Sequence, residues 1–350
     1  MVFWIILLAL LLIYPTDKKG ICIYFFVIVG TISAIRYNIG YDYANYVDVI
    51  EGNYMYDITY DRLEVIPKIL IWLTKMTGHT QSFFVMTSYA IIGIMAYYIY
   101  KNSGNKKLSI MLFMSVPLFF WSSLSIVRQL LAVCIGLLMM MSIYEGKIKK
   151  ALIFYVLAVL SHNSAYVLIL AFLAKKIDVS SKIYLVIYIA SFTLFSVFYG
   201  LILKYGEIFI FERALLYVEM NEELKGNTSL WILFNLIYIA MYFVIKIKSL
   251  GPQSKYYYTL FYIGVILFNV FSPVAVLAGR LSLYFLVVII TLLPNVIIVR
   301  FKQTRRLVNM LVYIVGIVLY VYTLHLATSS YEKGITVKDP YCPYKTVLTL

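Results

Sequence analysis

Residues 121–165 read WSSLSIVRQLLAVCIGLLMMMSIYEGKIKKALIFYVLAVLSHNSA and set Arg128 and His162 into apolar runs that hold almost nothing else ionisable. An arginine near the centre of a bilayer is unfavourable by about 2.5–3.5 kcal/mol even on the gentler insertion scales. Arg128 therefore calls for a surrounding helix bundle, a water-filled cavity or a bound anion. Capping of carbonyls or pairing with a carboxylate is the plainer alternative.

Working outward, the 350 residues are 63% hydrophobic and 13% charged, with mean hydropathy +0.89, which excludes a soluble domain of this length. The expected fold class is all-α: a polytopic integral membrane helix bundle forming one transmembrane domain over 1–350. Residues 1–14 lack a basic n-region and a small-residue cleavage site, so they are taken as a retained first helix. The net charge of +14 accompanies no nucleic-acid motif. Cys22, Cys134 and Cys342 are isolated, so neither a metal site nor a disulfide framework is expected.

Apolar runs suited to crossing the membrane lie at 21–35, 81–100, 108–126, 128–144, 182–203, 229–247, 256–276, 280–299 and 307–326, and the shorter 2–14 run makes a tenth. Two further segments differ. Residues 63–77 are short and contain Pro67, Lys68 and Lys75, and 151–174 is interrupted by SHNS. The basic clusters near 18–19, 101–107, 147–150, 175–182, 246–255 and 300–306 can all be cytoplasmic on two conditions. The 63–77 helix must stay on the outer side, and 151–174 must fold back as a re-entrant hairpin with its apex at Ser161–Ser164. A single straight helix over 151–174 is the alternative. External loops are then expected at 36–62 and 204–228, with an external tail at 327–350.

In this topology Arg36, Arg128, Arg213 and Arg280 lie on the outer side, where arginine is disfavoured, and a guanidinium fork there suits phosphate oxygens. A lipid-linked pyrophosphate is the natural ligand; pairing with Asp42, Asp61 or Glu64 is the alternative. An unshifted imidazole can accept a proton near neutrality, so His162 is a candidate general base, although a buried hydrogen-bonded histidine is the commoner case. His79 and His325 are expected at interfaces. In RYNIGYD, Gly40 permits a tight turn that presents Asp42. Glu64, with Pro67, opens the 63–77 helix and is either functional or a simple cap. The tyrosine-rich loops suit sugar rings, but tyrosine also forms interface belts.

The order RYNIGYDYANY, LEVIPKIL, SSLSIVRQLLAV, AVLSHNSA and GRLSLYF, running to the PYCPY tail, resembles the EpsG branch of Wzy-type O-antigen and exopolysaccharide polymerases. One departure is LEVIP, where the family often carries glycine after Glu-Pro. The resemblance implies transfer of a growing glycan from undecaprenyl pyrophosphate to the non-reducing end of a lipid-linked repeat unit, on the outer face of the bacterial plasma (inner) membrane. It carries over onto Arg36, Tyr37, Gly40, Asp42, Arg128, Gln129, His162, Ser164, Arg280 and Tyr284.

From residues and resemblance together, His162, Arg128 and Arg280 are the expected catalytic residues. Arg36, Tyr37, Gly40, Asp42, Glu64, Gln129, Ser164 and Tyr284 are expected to bind substrate. Asp42 or Glu64 is the alternative base. No metal or cofactor is expected, because no external metal-binding motif stands near the arginines. The expected partners are undecaprenyl-pyrophosphate-linked repeat units, membrane lipid and, from the resemblance alone, a chain-length regulator. An O-antigen ligase or other membrane sugar transferase, and a flippase for the same lipid-linked sugars, are the competing functions.

Overall fold

The computed structural model describes residues 4, 7, 19–53, 60–177, 180–205, 228–245, 250–272, 274–332, 341 and 344–348. Regular structure among them is helical, apart from one isolated antiparallel bridge between Arg36 and Thr346. In chain order the first helices are α1 (Gly20–Ile35), α2 (Tyr43–Glu51), α3 (Val65–Thr77) and α4 (Gln81–Asn102). They are followed by α5 (Lys106–Ser115), α6 (Phe120–Ser125), α7 (Val127–Tyr144) and α8 (Ile148–Ser161). A 3-10 turn at Asn163–Ile169 leads into α9 (Leu170–Ala174) and then α10 (Ser181–Tyr205). The remainder is α11 (Thr228–Val244), α12 (Pro252–Val270), α13 (Ala275–Leu286), α14 (Ile289–Arg300) and α15 (Arg305–Glu332).

The protein is a helical membrane protein. Four of its described helices, within 81–102, 127–144, 181–201 and 305–325, are long and apolar enough to cross a membrane. The bent pair α13 and α14 adds a fifth if counted as one span. Ten full spans are not confirmed among the described residues, for identifiable reasons. With 16 and 17 residues, α1 and α11 reach only about 24–26 Å at 1.5 Å per residue. The 108–126 run is not one helix, because Pro117 cannot continue α5 and forces Val116 into an extended conformation (ψ 120°). The 280–299 run bends by 48° where Val288 N donates to Phe285 and Ile290 N to Val287, tightening the helix to three-residue spacing. Arg280 consequently stands inside α13 and does not open a span. The 2–14 run, apart from Trp4 and Leu7, and most of the 204–228 loop lie outside the described residues. The helix α15 continues to Glu332, so residues 327–332 are helical.

Segment 151–174 doubles back. Lys175 Nζ donates to the carbonyls of Ile143 (2.6 Å) and Tyr144 (3.2 Å), returning the chain to the end of α7 from which α8 set out. Across the two arms Tyr155 donates its hydroxyl hydrogen to the Tyr166 carbonyl at 3.3 Å. A straight helix could make neither contact. The turn follows from the SHNS sequence: His162 is extended (φ −162°), and its ring supplies an acceptor for Ser164 N in place of a helical carbonyl. Leu152, Ile153, Val156, Ile169 and Leu173 remain exposed along the arms, as lipid-facing side chains do. The core lies along α7, whose span is 83% buried, against 22% for α15.

Candidate functional site

The first charged group of the site sits at a helix break. Ile126 (φ −86°, ψ 59°) separates α6 from α7, and Arg128 follows as the second residue of α7. Its Nη1 donates to Glu64 Oε2 at 2.6 Å, and its Nε donates to the Tyr46 hydroxyl at 3.2 Å. Nη2 carries no hydrogen bond among the described residues. The pair is mostly buried, with 16% of the Arg128 side chain and 8% of the Glu64 side chain exposed.

Glu64 occupies the position before α3 but makes no side-chain cap, so it is not there as a simple helix cap. It turns instead to Arg128, and its other oxygen accepts the Asn163 N–H at 3.1 Å. One carboxylate thus joins the start of α3, the start of α7 and the tip of the 151–174 hairpin. Burial alone would push the Glu64 carboxyl up. The Arg128 guanidinium and the Asn163 N–H outweigh burial and hold it below its ordinary value.

At the hairpin tip, His162 Nδ1 accepts the Ser164 N–H at 3.2 Å and lies 2.7 Å from Ser164 Oγ. A backbone N–H can only donate, so Nδ1 is the unprotonated nitrogen and the neutral ring carries its hydrogen on Nε2. Ser164 Oγ is also 2.9 Å from the buried Tyr284 hydroxyl of α13. On the same side, Gln129 Nε2 donates to the Arg280 carbonyl at 2.7 Å, fixing α13 against α7.

The first loop reaches the site through a turn only glycine fits. Gly40 has φ +102°, and a Cβ there would stand 1.9 Å from the Leu124 carbonyl oxygen. Tyr41 N donates to Ser125 Oγ at 3.1 Å. The loop therefore docks on the end of α6, just before the break that presents Arg128. Asp42 precedes α2 without capping it. Burial pushes its carboxyl up, against the opposing pull of Arg280 and Arg128.

Most of the residues singled out from sequence therefore converge: Arg128, Gln129, Glu64, Asp42, His162, Ser164, Arg280 and Tyr284, with Gly40 shaping the approach. Arg36 does not join them. It is 1% exposed, its Nη1 bonds to Ser88 Oγ at 2.8 Å and to the Ser33 carbonyl, and its guanidinium lies 4.9 Å from the Phe84 ring. The end of α1 turns Arg36 towards α4, and its Nε and Nη2 are buried with no hydrogen-bond partner among the described residues. Tyr37 lies at the surface, edge-on to Tyr43 at 6.0 Å. Sequence reasoning missed Tyr46 and Asn163. Tyr46 stands one helical turn after Asp42, a spacing that places both on one face. Asn163 acts through its backbone, which no residue type reveals.

Among the described residues no three His, Cys, Asp or Glu side chains form a metal-binding group. The fold and site define a helical membrane protein with a polar, arginine-centred site where α2, α3, α7, α13 and a helical hairpin meet. A family model described as the EpsG family matches residues 3–346, nearly the whole chain. The chain belongs to the EpsG family, a family of Wzy-like polymerases. No curated protein and no solved structure matches it.

Proposed function

We propose that the protein is a polysaccharide polymerase of the bacterial plasma membrane, acting on lipid-linked repeat units at its outer face. Family membership supports the activity. The observation that carries the site is the convergence of Arg128 and Glu64 with the hairpin tip of His162 and Ser164. The hairpin carries irregular backbone at Asn163–Ile169, which within a bilayer is tolerated only where it is buried in protein or lines a wet cavity.

In this reading the donor is a glycan on undecaprenyl pyrophosphate. A hydroxyl at the non-reducing end of the incoming repeat attacks the donor's anomeric carbon. The carbon–oxygen bond to the pyrophosphate breaks, and undecaprenyl pyrophosphate leaves with the bonding electrons. Arg128, through its unengaged Nη2, and Arg280 hold the departing phosphates, the preorganised electrostatic contribution that is usually the largest. The hydroxyl proton passes to His162 Nδ1 through Ser164 Oγ, which lies in contact with it. Asp42 is an alternative acceptor, favoured by its raised affinity for a proton; Glu64, held below its ordinary value by Arg128 and the Asn163 N–H, is the weaker base of the two. Tyr284 and Gln129 fix the hairpin tip and α13, and no metal ion takes part in any step.

The test is purified protein in proteoliposomes with a lipid-linked repeat as sole substrate. A ladder of products with equivalent release of undecaprenyl pyrophosphate is expected. Movement of intact substrate across the bilayer without new glycosidic bonds would overturn the proposal in favour of a carrier. Products formed only when a lipid A core is supplied would point to a ligase.

A further inference from the structure

The C-terminal segment reaches the site from behind. Tyr341 is 8% exposed, and its carbonyl accepts the Trp4 Nε1 hydrogen at 2.8 Å. Its ring packs against Trp121 at 5.0 Å between centroids and edge-on to Tyr41 at 6.1 Å. Its hydroxyl lies 3.1 Å from Ser125 Oγ and 3.3 Å from the Trp121 carbonyl. Ser125 Oγ is the same oxygen that accepts Tyr41 N–H.

Both ends of this chain have fixed direction, since an N–H only donates and a carbonyl only accepts. Tyr41 therefore donates to Ser125, Ser125 to Tyr341, and Tyr341 to Trp121, with every hydroxyl hydrogen used. A few residues on, the same segment grips the other end of the loop. Tyr37 N donates to the Lys345 carbonyl at 2.9 Å and Val347 N to the Ile35 carbonyl at 3.0 Å. The loop is thus held at 35–37 and again at Tyr41. Asp42 is the next residue after Tyr41, and Arg128 stands three residues after Ser125.

We propose that Tyr341 is a positioning residue for this site: through Ser125 it fixes the Tyr41–Asp42 backbone against the α6–α7 break and so sets Asp42 relative to Arg128. Its kinetic readout rests on the polymerase function proposed above; its structural readout does not.

Tyr341→Phe keeps the ring and the Trp4 contact and removes only the hydroxyl. In proteoliposomes the polymerisation rate should fall roughly fivefold to tenfold, the scale of the net loss when the hydroxyl's two hydrogen bonds are removed. Placed in an Asp42→Asn background, the same change should cost nothing further, because there is no longer a carboxylate to place. Ser125→Ala should reproduce the loss and not add to it. A wild-type rate in Tyr341→Phe, or an undiminished loss in the Asp42→Asn background, would overturn the proposal and leave Tyr341 as packing. Independently of any activity, amide hydrogen exchange in the peptide containing Tyr41 should accelerate in Tyr341→Phe. Unchanged exchange overturns the proposal even if the protein proves not to be a polymerase, whereas a wild-type protein that makes no polymer counts against the function alone.

Discussion

Replacement of Gly40 by alanine separates geometry from stability in a single experiment. The added Cβ would meet the Leu124 oxygen at 1.9 Å and its carbonyl carbon at 2.6 Å. Restoring ordinary van der Waals contact requires the loop and the end of α6 to part by more than about 1 Å. Because Asp42 lies on one of those pieces and Arg128 on the other, that displacement passes directly into the site. A misplacement of about 1 Å can cost roughly 100-fold in rate. The backbone conformation at φ +102° adds strain of about 1–3 kcal/mol to the alanine variant. Gly52→Ala supplies the control: Gly52 has φ +79°, so the variant is also strained, yet nothing lies within 4 Å of its new Cβ. The assay is incorporation of lipid-linked repeats into polymer by membranes, normalised to the amount of each variant present. Gly40→Ala should lose about two orders of magnitude while Gly52→Ala stays near wild type. Equal activity in the two variants would refute the docking of the first loop on Leu124.

Arg128→Lys should also lose activity by about 100-fold, because an ammonium cannot hold Tyr46, Glu64 and a phosphate together, and substrate titration of kcat and KM checks it. Glu64→Gln should lower the thermal midpoint in detergent by stranding Arg128, by roughly 3 kcal/mol or less given the residual exposure of the pair. The combined Glu64→Leu, Arg128→Met variant should be more stable than Glu64→Gln and inactive. Glu64 is held below its ordinary 4.5, so the stability contributed by the pair is present above pH 4.5 and lost as pH falls through the lower folded value. The stability gap between wild type and Glu64→Gln should therefore persist from neutrality down to that point and close below it. Asp42 has the opposite sign: its pKa is raised above 3.8, so ionisation costs stability as pH rises. Asp42→Asn should be more stable than wild type near neutrality, with the advantage vanishing at acid pH, while its polymer yield falls. Chelation of divalent ions should leave the rate unchanged; loss that is restored only by a divalent ion would contradict a metal-free reaction.

The hairpin was legible because charge constrains it. Lys147–Lys150 and Lys175–Lys176 can share a side only if 151–174 turns back, and the polar SHNS marks where. Glu64 and Pro67 likewise announced α3, and short motifs around Arg128, His162 and Arg280 announced most of the site. Hydropathy reads through breaks because it averages over them: Pro117 divides 108–126, while the bend between α13 and α14 has no residue at 287–288 that marks it. Arg36 was legible only in part. Its place at the end of an apolar run told which boundary it occupied, but not that α4 would offer Ser88 and the face of Phe84 in place of solvent. The role of Tyr341 depends on contacts with residues more than two hundred positions away in sequence, and among 34 tyrosines nothing local distinguishes it.

The most direct measurement is the length distribution of surface polysaccharide in a deletion strain complemented with wild type, His162→Ala or Arg128→Ala, with the membrane content of each protein checked. Wild type should restore the full ladder, and both variants should reach the membrane yet yield only single-repeat glycan. An unchanged ladder in the variants would show that these residues serve the fold alone and that the chemistry lies elsewhere.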